Sequence, residues 1–267
     1  MFSLNNKFAL VTGGARGMGR EIAITLARQG ATVVAGDILS AELDKLAEYA
    51  RANVLNIICA KMDVTSPDDW DDAAAMIGRE FGRLDILVNN AGIMDTRSFF
   101  ETSLEDYRKT MRVNAESMFI GAKAMVPLLT KAGHANPAGA SIINFSSVFG
   151  QIGGSWAVPY CASKGAVRLF TKSLAVELAR AKTNIRVNSI HPGAIDTAML
   201  RKGRETFIAA GLVADMDAAN AQVEAATPMG RMGQVDDVAG VVAFLASDAS
   251  KFMTGSEITV DGGYSIV

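Results

Sequence analysis

Three residues in the second half of the chain have types and spacing suited to proton transfer. Tyr160 and Lys164 stand four positions apart in a helical pattern, so their side chains share one helix face. A free tyrosine has a pKa of about 10, and a nearby lysine ammonium favours the phenolate and lowers that pKa, as does the positive ring of an oxidised nicotinamide. Ser147 lies 13 residues before Tyr160, directly after a strand pattern, where its hydroxyl can hydrogen-bond a substrate oxygen. The three residues together predict an acid–base centre.

A glycine-rich turn near the start of the chain predicts a dinucleotide site. The sequence Thr-Gly-Gly-Ala-Arg-Gly-Met-Gly at 12–19 follows an apolar strand pattern and opens a helical one, so its backbone can approach a pyrophosphate. Asp37 stands 18 residues after Gly19, at the end of the second strand pattern, where a carboxylate accepts hydrogen bonds from ribose hydroxyls and repels a 2′-phosphate. Arg16 favours the opposite cofactor, because a cation in this loop can meet a 2′-phosphate, but Ile38 adds no second cation after Asp37. The pattern therefore favours NAD over NADP.

The elements that must position these residues alternate between strand and helix along the whole chain. Apolar strand patterns separated by amphipathic helices predict parallel βαβ units with both sheet faces covered. No linker or repeat interrupts them, so we expect one domain over 1–267, doubly wound around a seven-stranded parallel sheet. The segment 194–232 has a weak pattern and is predicted to be a substrate lid. The predicted strands are 8–11, 31–35, 57–62, 84–88, 141–145, 185–190 and 257–260, and the predicted helices are 19–29, 40–52, 67–81, 103–130, 157–181 and 235–247.

Composition narrows the class of protein. The 267 residues are 49% hydrophobic and 20% charged, which suits a chain that buries its own core. The net charge is −2 without a basic stripe, which argues against a nucleic acid or an anionic membrane as partner. Two isolated cysteines, Cys59 and Cys161, and the absence of signal-peptide and membrane-span patterns indicate a cytoplasmic protein. No metal-ligand spacing occurs.

Several motifs, taken in order, make the sequence resemble a known family. They are the glycine turn at 12–19, Asn-Asn-Ala-Gly at 89–92, Ser147, Tyr-x-x-x-Lys at 160–164 and Pro-Gly at 192–193. This set resembles that of the short-chain dehydrogenases/reductases and covers essentially the whole chain. The stretches 227–230 and 254–264 are similar to those of bacterial secondary-alcohol and hydroxysteroid dehydrogenases. The resemblance implies a Rossmann fold and hydride transfer between NAD(H) and a hydrophobic secondary alcohol or ketone, whether alicyclic, aryl or steroid-like.

The resemblance also implies a role for each catalytic residue. Tyr160 takes the alcohol proton during oxidation and returns it during reduction. Lys164 holds the nicotinamide ribose hydroxyls and lowers the pKa of Tyr160, while Ser147 stabilises charge on the substrate oxygen. Asn114 matches the residue that anchors a proton-relay water beside the lysine. The alternative for Asn114 is a helix-bending residue with a purely structural hydrogen bond.

Cofactor contacts are implied along the segments that follow successive strands. Asp63 and Val64 match the adenine contact, 90–92 the adenosine and ribose side, and Ile195 and Thr197 the nicotinamide carboxamide. The full implied set is Gly13, Arg16, Gly17, Met18, Gly19, Asp37, Ile38, Asp63, Val64, Asn90, Ala91, Gly92, Tyr160, Lys164, Pro192, Gly193, Ile195 and Thr197.

The substrate wall is predicted from three apolar stretches: 94–99, 148–156 and the lid. An apolar wall bearing methionine suits an uncharged hydrophobic ligand and can adapt its shape, although the same residues could be plain core. Within the lid, Arg201, Lys202, Arg204 and Glu205 are interpreted as a solvated helix face. The predicted substrate contacts are Met94, Ser147, Phe149, Trp156, Tyr160 and Met199.

Two other functions fit parts of the pattern. An NADP-dependent 3-ketoacyl-carrier-protein reductase shares the motifs, but favours a basic residue or threonine near Asp37 and a basic patch for its acidic carrier, and neither is evident. A dinucleotide-sensing protein without turnover keeps the fold, but such proteins usually lack part of the tyrosine–lysine pair. The resemblance further implies a homo-oligomer, a dimer or a homotetramer, paired through 103–130 and 157–181.

Overall fold

Seven parallel strands form one sheet in the computed structural model, which describes residues 2–267. They are β1 Phe8–Thr12, β2 Thr32–Asp37, β3 Ile57–Lys61, β4 Ile86–Asn89, β5 Ala140–Phe145, β6 Ile185–Pro192 and β7 Glu257–Val260. Their order is β3-β2-β1-β4-β5-β6-β7, and every neighbouring pair is parallel. The order reverses between β1 and β4, and a ligand crevice opens at such a switch point, outside the carboxyl ends of the strands. The predicted doubly wound sheet of the Rossmann type is confirmed.

Helices cover both faces of this sheet. They are α1 Gly17–Arg28, α2 Ser40–Ala52, α3 Pro67–Phe81, α4 Leu104–Met111, α5 Ser117–Ala135, α6 Val158–Arg180, α7 Ala198–Ala209, α8 Met216–Ala226 and α9 Val235–Ala246. One core packs α1, α2 and α9 against the sheet, and the other packs α3, α5 and α6 against the opposite face. The central strands between are buried on both faces; all six residues of β5, for example, are buried. No helix within residues 2–267 could cross a membrane.

The structure differs from the predicted elements in two places. The helix predicted over 103–130 is α4 and α5 joined by a π-helical turn at Arg112–Glu116, and α5 ends later, at Ala135. The segment 194–232 contains two helices, α7 and α8, where the sequence has only a weak pattern. Its two ends are tied together, because Asp196 N donates to Gly233 O at 2.8 Å and Gly233 N to Ala194 O at 2.9 Å.

Candidate active site

Ser147, Tyr160 and Lys164 line one cavity of about 270 Å³ at the carboxyl ends of the central strands. Ser147 follows β5, and the other two stand on successive turns of α6. Lys164 is buried, and its Nζ donates to the carbonyl of Phe145 at 2.7 Å while lying 5.6 Å from the centre of the Tyr160 ring. The fold thus brings together the three residues that sequence spacing predicts to act together.

Burial governs the protonation of this group. It raises the pKa of Tyr160 to about 12, and a hydrogen bond with Ser147 opposes that rise without cancelling it. Burial also lowers the pKa of Lys164 to about 8, because the charged ammonium is removed from water. Burial is the largest contribution to the Tyr160 pKa and Lys164 is not among the groups that shift it, so the predicted lowering by Lys164 is not seen here. At this pKa the Tyr160 hydroxyl is protonated at neutral pH, so a proton is present for a substrate oxygen, while burial makes the hydroxyl a weaker acid.

Asn114 stands within the π-helical turn and is completely buried. Its Oδ1 accepts from Ile93 N at 2.8 Å, and its Nδ2 donates to Ile93 O at 2.8 Å and to Ser163 Oγ at 3.0 Å. A wide turn of this kind displaces a side chain from the regular helical position. Asn114 therefore fixes the backbone after β4 beside Gly92, whose Cα faces both Asn114 Oδ1 and Lys164 Nζ.

His191, at the end of β6, supports the backbone of Ser147. The ring is buried, with Nδ1 3.0 Å from Ser147 O and Nε2 2.9 Å from Ser189 Oγ. Because a carbonyl oxygen only accepts, Nδ1 carries the proton of the neutral ring. Burial lowers the pKa of His191 and keeps the ring neutral. Sequence spacing gives no reason for this contact, which depends on β5 and β6 being neighbours.

The glycine turn between β1 and α1 has the shape that a pyrophosphate requires. Gly13 and Gly17 adopt positive φ, and a Cβ on Gly19 would collide with the carbonyl oxygen of Gly13. Asn90 braces the turn, since its Nδ2 donates to Thr12 O at 2.9 Å and Gly13 O at 3.2 Å. Helix α1 has neither a side-chain cap nor an acidic residue in its first turn, so its first N–H groups remain available to an anion.

Asp37 lies at the end of β2, close to the same turn. Its Oδ2 accepts from Ala15 N at 3.0 Å and its Oδ1 from Leu39 N at 3.1 Å, so the carboxylate is held in place. Each carboxylate oxygen has a further lone pair that a hydroxyl can use. Ile38 is exposed beside it, and so is Arg16 across the turn. This arrangement fits the adenosine ribose of a dinucleotide.

Comparison with known proteins places the whole chain in one family. A family model described as enoyl-(acyl carrier protein) reductase matches residues 13–265. A cyclopentanol dehydrogenase of Comamonas sp. (strain NCIMB 9872) is 41% identical over 99% of both chains. An NADP-dependent (R)-specific alcohol dehydrogenase of Lentilactobacillus kefiri is 36% identical over 98% of both. The crystal structure of a short-chain type dehydrogenase/reductase from Mycobacterium marinum superposes with a TM-score of 0.88 at 33% identity, covering 100% of this chain and 98% of that one.

The chain belongs to the short-chain dehydrogenase/reductase family. Members of this family are oxidoreductases that use a nicotinamide dinucleotide, and the chain is accordingly an oxidoreductase acting on CH–OH groups. Residues 2–267 contain no group of three or more histidine, cysteine, aspartate or glutamate side chains able to hold a metal.

Some of the residues predicted to bind the cofactor line the cavity of this protein. The other predicted cofactor residues lie outside it, near the ends of the neighbouring strands. Asp63, exposed, and Val64, buried, follow β3 on the far side of Asp37. Thr197 caps α7 through its side chain while also lining the cavity. The predicted cofactor residues that line the cavity are Met18, Asn90, Gly92, Tyr160, Lys164, Pro192, Gly193, Ile195 and Thr197, and those outside it are Gly13, Arg16, Gly17, Gly19, Asp37, Ile38, Asp63, Val64 and Ala91.

All six predicted substrate residues line the same cavity: Met94, Ser147, Phe149, Trp156, Tyr160 and Met199. The rings of Phe149 and Tyr160 meet edge to face at 6.5 Å, and those of Trp156 and Phe207 at 5.8 Å. Trp156 has a φ of 60°, a conformation that is strained for a bulky residue and that its packing must offset. The second contact joins the loop after β5 to the lid helix α7.

The interpretation of Arg204 as part of a solvated helix face is wrong. Arg201, Lys202 and Glu205 are exposed, but Arg204 is only 5% exposed and lines the cavity. The charged stretch carries no local sign of this, because the burial comes from α8 and the end of the lid. Most of the other cavity residues that sequence reasoning missed lie in the segment 194–232: Gly203, Phe207, Val213, Ala219, Gln222 and Val223; Phe145, Ala157 and Tyr264 lie outside it.

Proposed function

We propose that this protein is an NAD(H)-dependent dehydrogenase that interconverts a hydrophobic, alicyclic secondary alcohol and its ketone. The observation that carries the proposal is the meeting of Ser147, Tyr160 and Lys164 in a cavity whose other walls are mainly apolar. Aryl and steroid-like alcohols belong to the same chemical class, but a cavity of about 270 Å³ favours the smaller rings. The relative that acts on cyclopentanol, by its name, supports a cyclic substrate.

The preference for NAD rests on Asp37. Its carboxylate is held by two backbone N–H groups at the end of β2, and a 2′-phosphate at that point would meet a negative charge. Arg16 is exposed across the turn and favours NADP, which the Lentilactobacillus relative uses by its name. We give Asp37 the greater weight because its position is fixed, whereas Arg16 has no hydrogen-bonded partner that would order it among the described residues.

Residues of this chain would hold the cofactor in three places. The N-terminus of α1 and the glycine turn would bind the pyrophosphate, and Asp37 the adenosine ribose. Ile195 and Thr197 would contact the nicotinamide carboxamide, while Asp63 and Val64 would border the adenine. When bound, the dinucleotide supplies or accepts the hydride, and its oxidised ring adds a positive charge that favours the Tyr160 phenolate.

The proton moves through Tyr160. In ketone reduction its hydroxyl donates to the carbonyl oxygen, and in alcohol oxidation its phenolate accepts the alcohol proton. Ser147 hydrogen-bonds the same substrate oxygen and stabilises charge on it. Lys164 would hold the nicotinamide ribose and keep a positive charge beside the ring of Tyr160. Asn114 keeps Ile93 and Ser163 in place around Lys164, which is where a proton-relay water would be anchored.

Two alternatives remain as outcomes of the test. The family model's description names an acyl-carrier-protein substrate, so a reductase of carrier-bound thioesters is the second candidate. Against it, an acidic carrier requires a basic surface, and the chain has a net charge of −2. A dinucleotide-sensing protein without turnover is the third, and the complete set of Ser147, Tyr160 and Lys164 argues against it.

We further propose that the chain is a single dinucleotide-binding and catalytic domain over 1–267, with 194–232 as its substrate lid. We propose a cytoplasmic homo-oligomer, a dimer or homotetramer. Helices α4, α5 and α6 present exposed apolar side chains, including Leu104, Phe119 and Leu169, that a second copy would cover.

The proposal is tested by following the absorbance of reduced cofactor, with NAD and NADP separately, against cyclopentanol, cyclohexanol, aryl carbinols and hydroxysteroids. We expect turnover of the cyclic alcohols, with NAD preferred by about tenfold or more in kcat/KM, since one desolvated charge clash is of that size. Equal turnover with NADP would contradict the cofactor assignment. Turnover of a 3-ketoacyl thioester with no oxidation of any alcohol would favour the carrier-protein reductase.

Tyr160→Phe is the matched control, because it removes one hydroxyl from the cavity. We expect a loss of about 10²–10⁴-fold in kcat, the usual contribution of a general acid–base group, with NADH affinity retained. Undiminished turnover in this variant would show that another group moves the proton. Tight NADH binding with no turnover of any substrate would favour the sensing protein.

A further inference from the structure

Arg204 is a charged residue in an otherwise apolar part of the cavity. Among the side chains of residues 2–267 that line the cavity, only those of Lys164 and Arg204 are charged. Lys164 belongs to the catalytic centre, whereas Arg204 stands on the lid helix α7, between Leu200 and Phe207. Its side chain is only 6% exposed. Burial of a guanidinium in such surroundings is unfavourable unless its donors are used.

Three contacts hold the end of this side chain. Nη1 donates to Asn220 Oδ1 on α8 and lies 3.1 Å from the sulfur of Met232, and Nη2 donates to Asp196 Oδ1 at 3.4 Å. These partners come from the start, the middle and the end of the lid. Asp196 does not line the cavity, so its carboxylate balances the charge of the guanidinium from outside the cavity.

The third nitrogen of the guanidinium differs from the other two. Arg204 Nε is buried, and no residue in the described range 2–267 accepts a hydrogen bond from it. A buried charged donor without an acceptor is unfavourable, and such atoms in folded proteins generally have a reason. A purely structural role for Arg204 accounts for Nη1 and Nη2 but leaves Nε unexplained. Arg204 lines the cavity, so a small turn of its guanidinium on substrate binding would bring Nε to a ligand oxygen, which would then supply the missing acceptor.

We propose that Arg204 Nε recognises an oxygen atom that the substrate carries at a ring position away from the reacting carbinol. Nε offers a single donor, which suits a single acceptor better than a bidentate group. Because Asp196 already balances the guanidinium charge, a neutral ether, carbonyl or hydroxyl oxygen fits better than a carboxylate. The inference rests on the proposed oxidation of cyclic alcohols, and it narrows the substrate class to oxygen-substituted rings.

A matched pair of substrates tests this directly. 4-Methoxycyclohexanol and 4-ethylcyclohexanol have nearly the same shape, but only the first has an acceptor oxygen in its substituent; the 3-substituted pair extends the test to the neighbouring ring position. We expect the wild-type protein to prefer the methoxy compound by about tenfold in kcat/KM at one of the two positions, the effect of a hydrogen bond to a charged donor. No preference at either position would overturn the proposal.

Arg204→Lys removes the donor while keeping the charge for Asp196, because lysine places a methylene group where Nε stands. We expect the methoxy-to-ethyl ratio to fall to near one. Loss of the contacts to Asn220 and Met232 lowers kcat/KM for both compounds alike, so the ratio is the readout. Equal losses for both compounds, with the ratio unchanged, would assign Arg204 a structural role only and overturn the proposal. Arg204→Met is the second variant, with circular dichroism to establish that each is folded.

Arg201→Lys is the control on the same helix, since Arg201 is exposed and outside the cavity. We expect it to leave both the ratio and the turnover unchanged. Failure of the proposed function would be visible separately, as the wild-type protein would not oxidise cyclohexanol at all. In that case the inference about Arg204 would fall with it, whereas oxidation of cyclohexanol without oxygen preference would overturn the inference alone.

Discussion

At the glycine turn between β1 and α1 the chain packs backbone against backbone, whereas the segment 194–232, the proposed lid at the other end of the cavity, is held chiefly by side chains. Gly19 lies so close to the Gly13 carbonyl that no Cβ fits, and Asn90 fixes the turn through two main-chain oxygens. On the lid, Phe207 packs against Trp156, and Arg204 joins α7 to α8.

This difference means that sequence change is limited in different ways at the cofactor end and at the substrate end of the cavity. A dinucleotide pyrophosphate is the same in every reaction, and a binding surface made of main-chain N–H groups leaves little freedom for side-chain change. The lid keeps a fixed base, because Ala194, Asp196 and Gly233 are joined by backbone hydrogen bonds. Above that base its side chains can be exchanged without altering the sheet. We infer that cofactor binding depends on the backbone conformation of the glycine turn. Substrate choice depends on which side chains the segment 194–232 carries.

The largest effect among the variants that test this contrast is expected at Ser147, where the two regions meet. Ser147→Ala should lower kcat by about 10²–10³-fold, because a donor to the substrate oxygen is lost. It should also change the pH dependence. The hydrogen bond with Ser147 lowers the Tyr160 pKa, so its removal raises that pKa further and moves the alkaline rise of alcohol oxidation to higher pH. The pH profile of kcat for both proteins measures this.

An unmoved alkaline limb in Ser147→Ala would show that Tyr160 does not control the rise. NADH affinity is the internal control for this variant. It should stay within about twofold of wild type, since Ser147 is proposed to contact the substrate and not the dinucleotide.

Gly19→Ala tests the backbone-defined end. The new methyl group would collide with Gly13 O, so the turn must change shape, and we expect NADH affinity to fall by about 100-fold. Gly240→Ala is the matched control, because a Cβ on that helical residue of α9 meets nothing within 4 Å. Fluorescence titration with NADH measures both. Retained affinity in Gly19→Ala would mean that the turn adapts as readily as the lid, and the contrast between the two ends would be lost.

The sequence allows the sheet and the glycine turn to be predicted because their signals are local. A few neighbouring residues are enough to predict the strand β1, the glycine turn that follows it, and Asp37 at the end of the next strand. Tyr160 and Lys164 are equally clear, since a spacing of four on a helix brings two side chains together.

Features that depend on distant elements could not be predicted in this way. The stretch containing Arg201, Lys202, Arg204 and Glu205 has the composition of a solvated face, and only the packing of α8 buries one of its charges. The π-helical turn around Asn114 contains no glycine or proline that would mark it in the sequence. His191 meets the Ser147 carbonyl because β5 and β6 are neighbours, which no spacing within the chain indicates.

Phe207→Ala gives the smallest and most discriminating effect. The substitution removes the edge-to-face contact with Trp156 and enlarges the substrate end of the cavity, so we expect KM for a cyclic alcohol to rise about tenfold with a smaller change in kcat. Leu212→Ala is the control, because Leu212 is an exposed lid residue outside the cavity. Steady-state kinetics and NADH titration of the three proteins provide the measurement. If NADH affinity is unchanged, Phe207 acts on the substrate alone. If NADH affinity falls together with substrate affinity, the segment 194–232 shapes both ends of the cavity, and the separation between a backbone-defined and a side-chain-defined region does not hold.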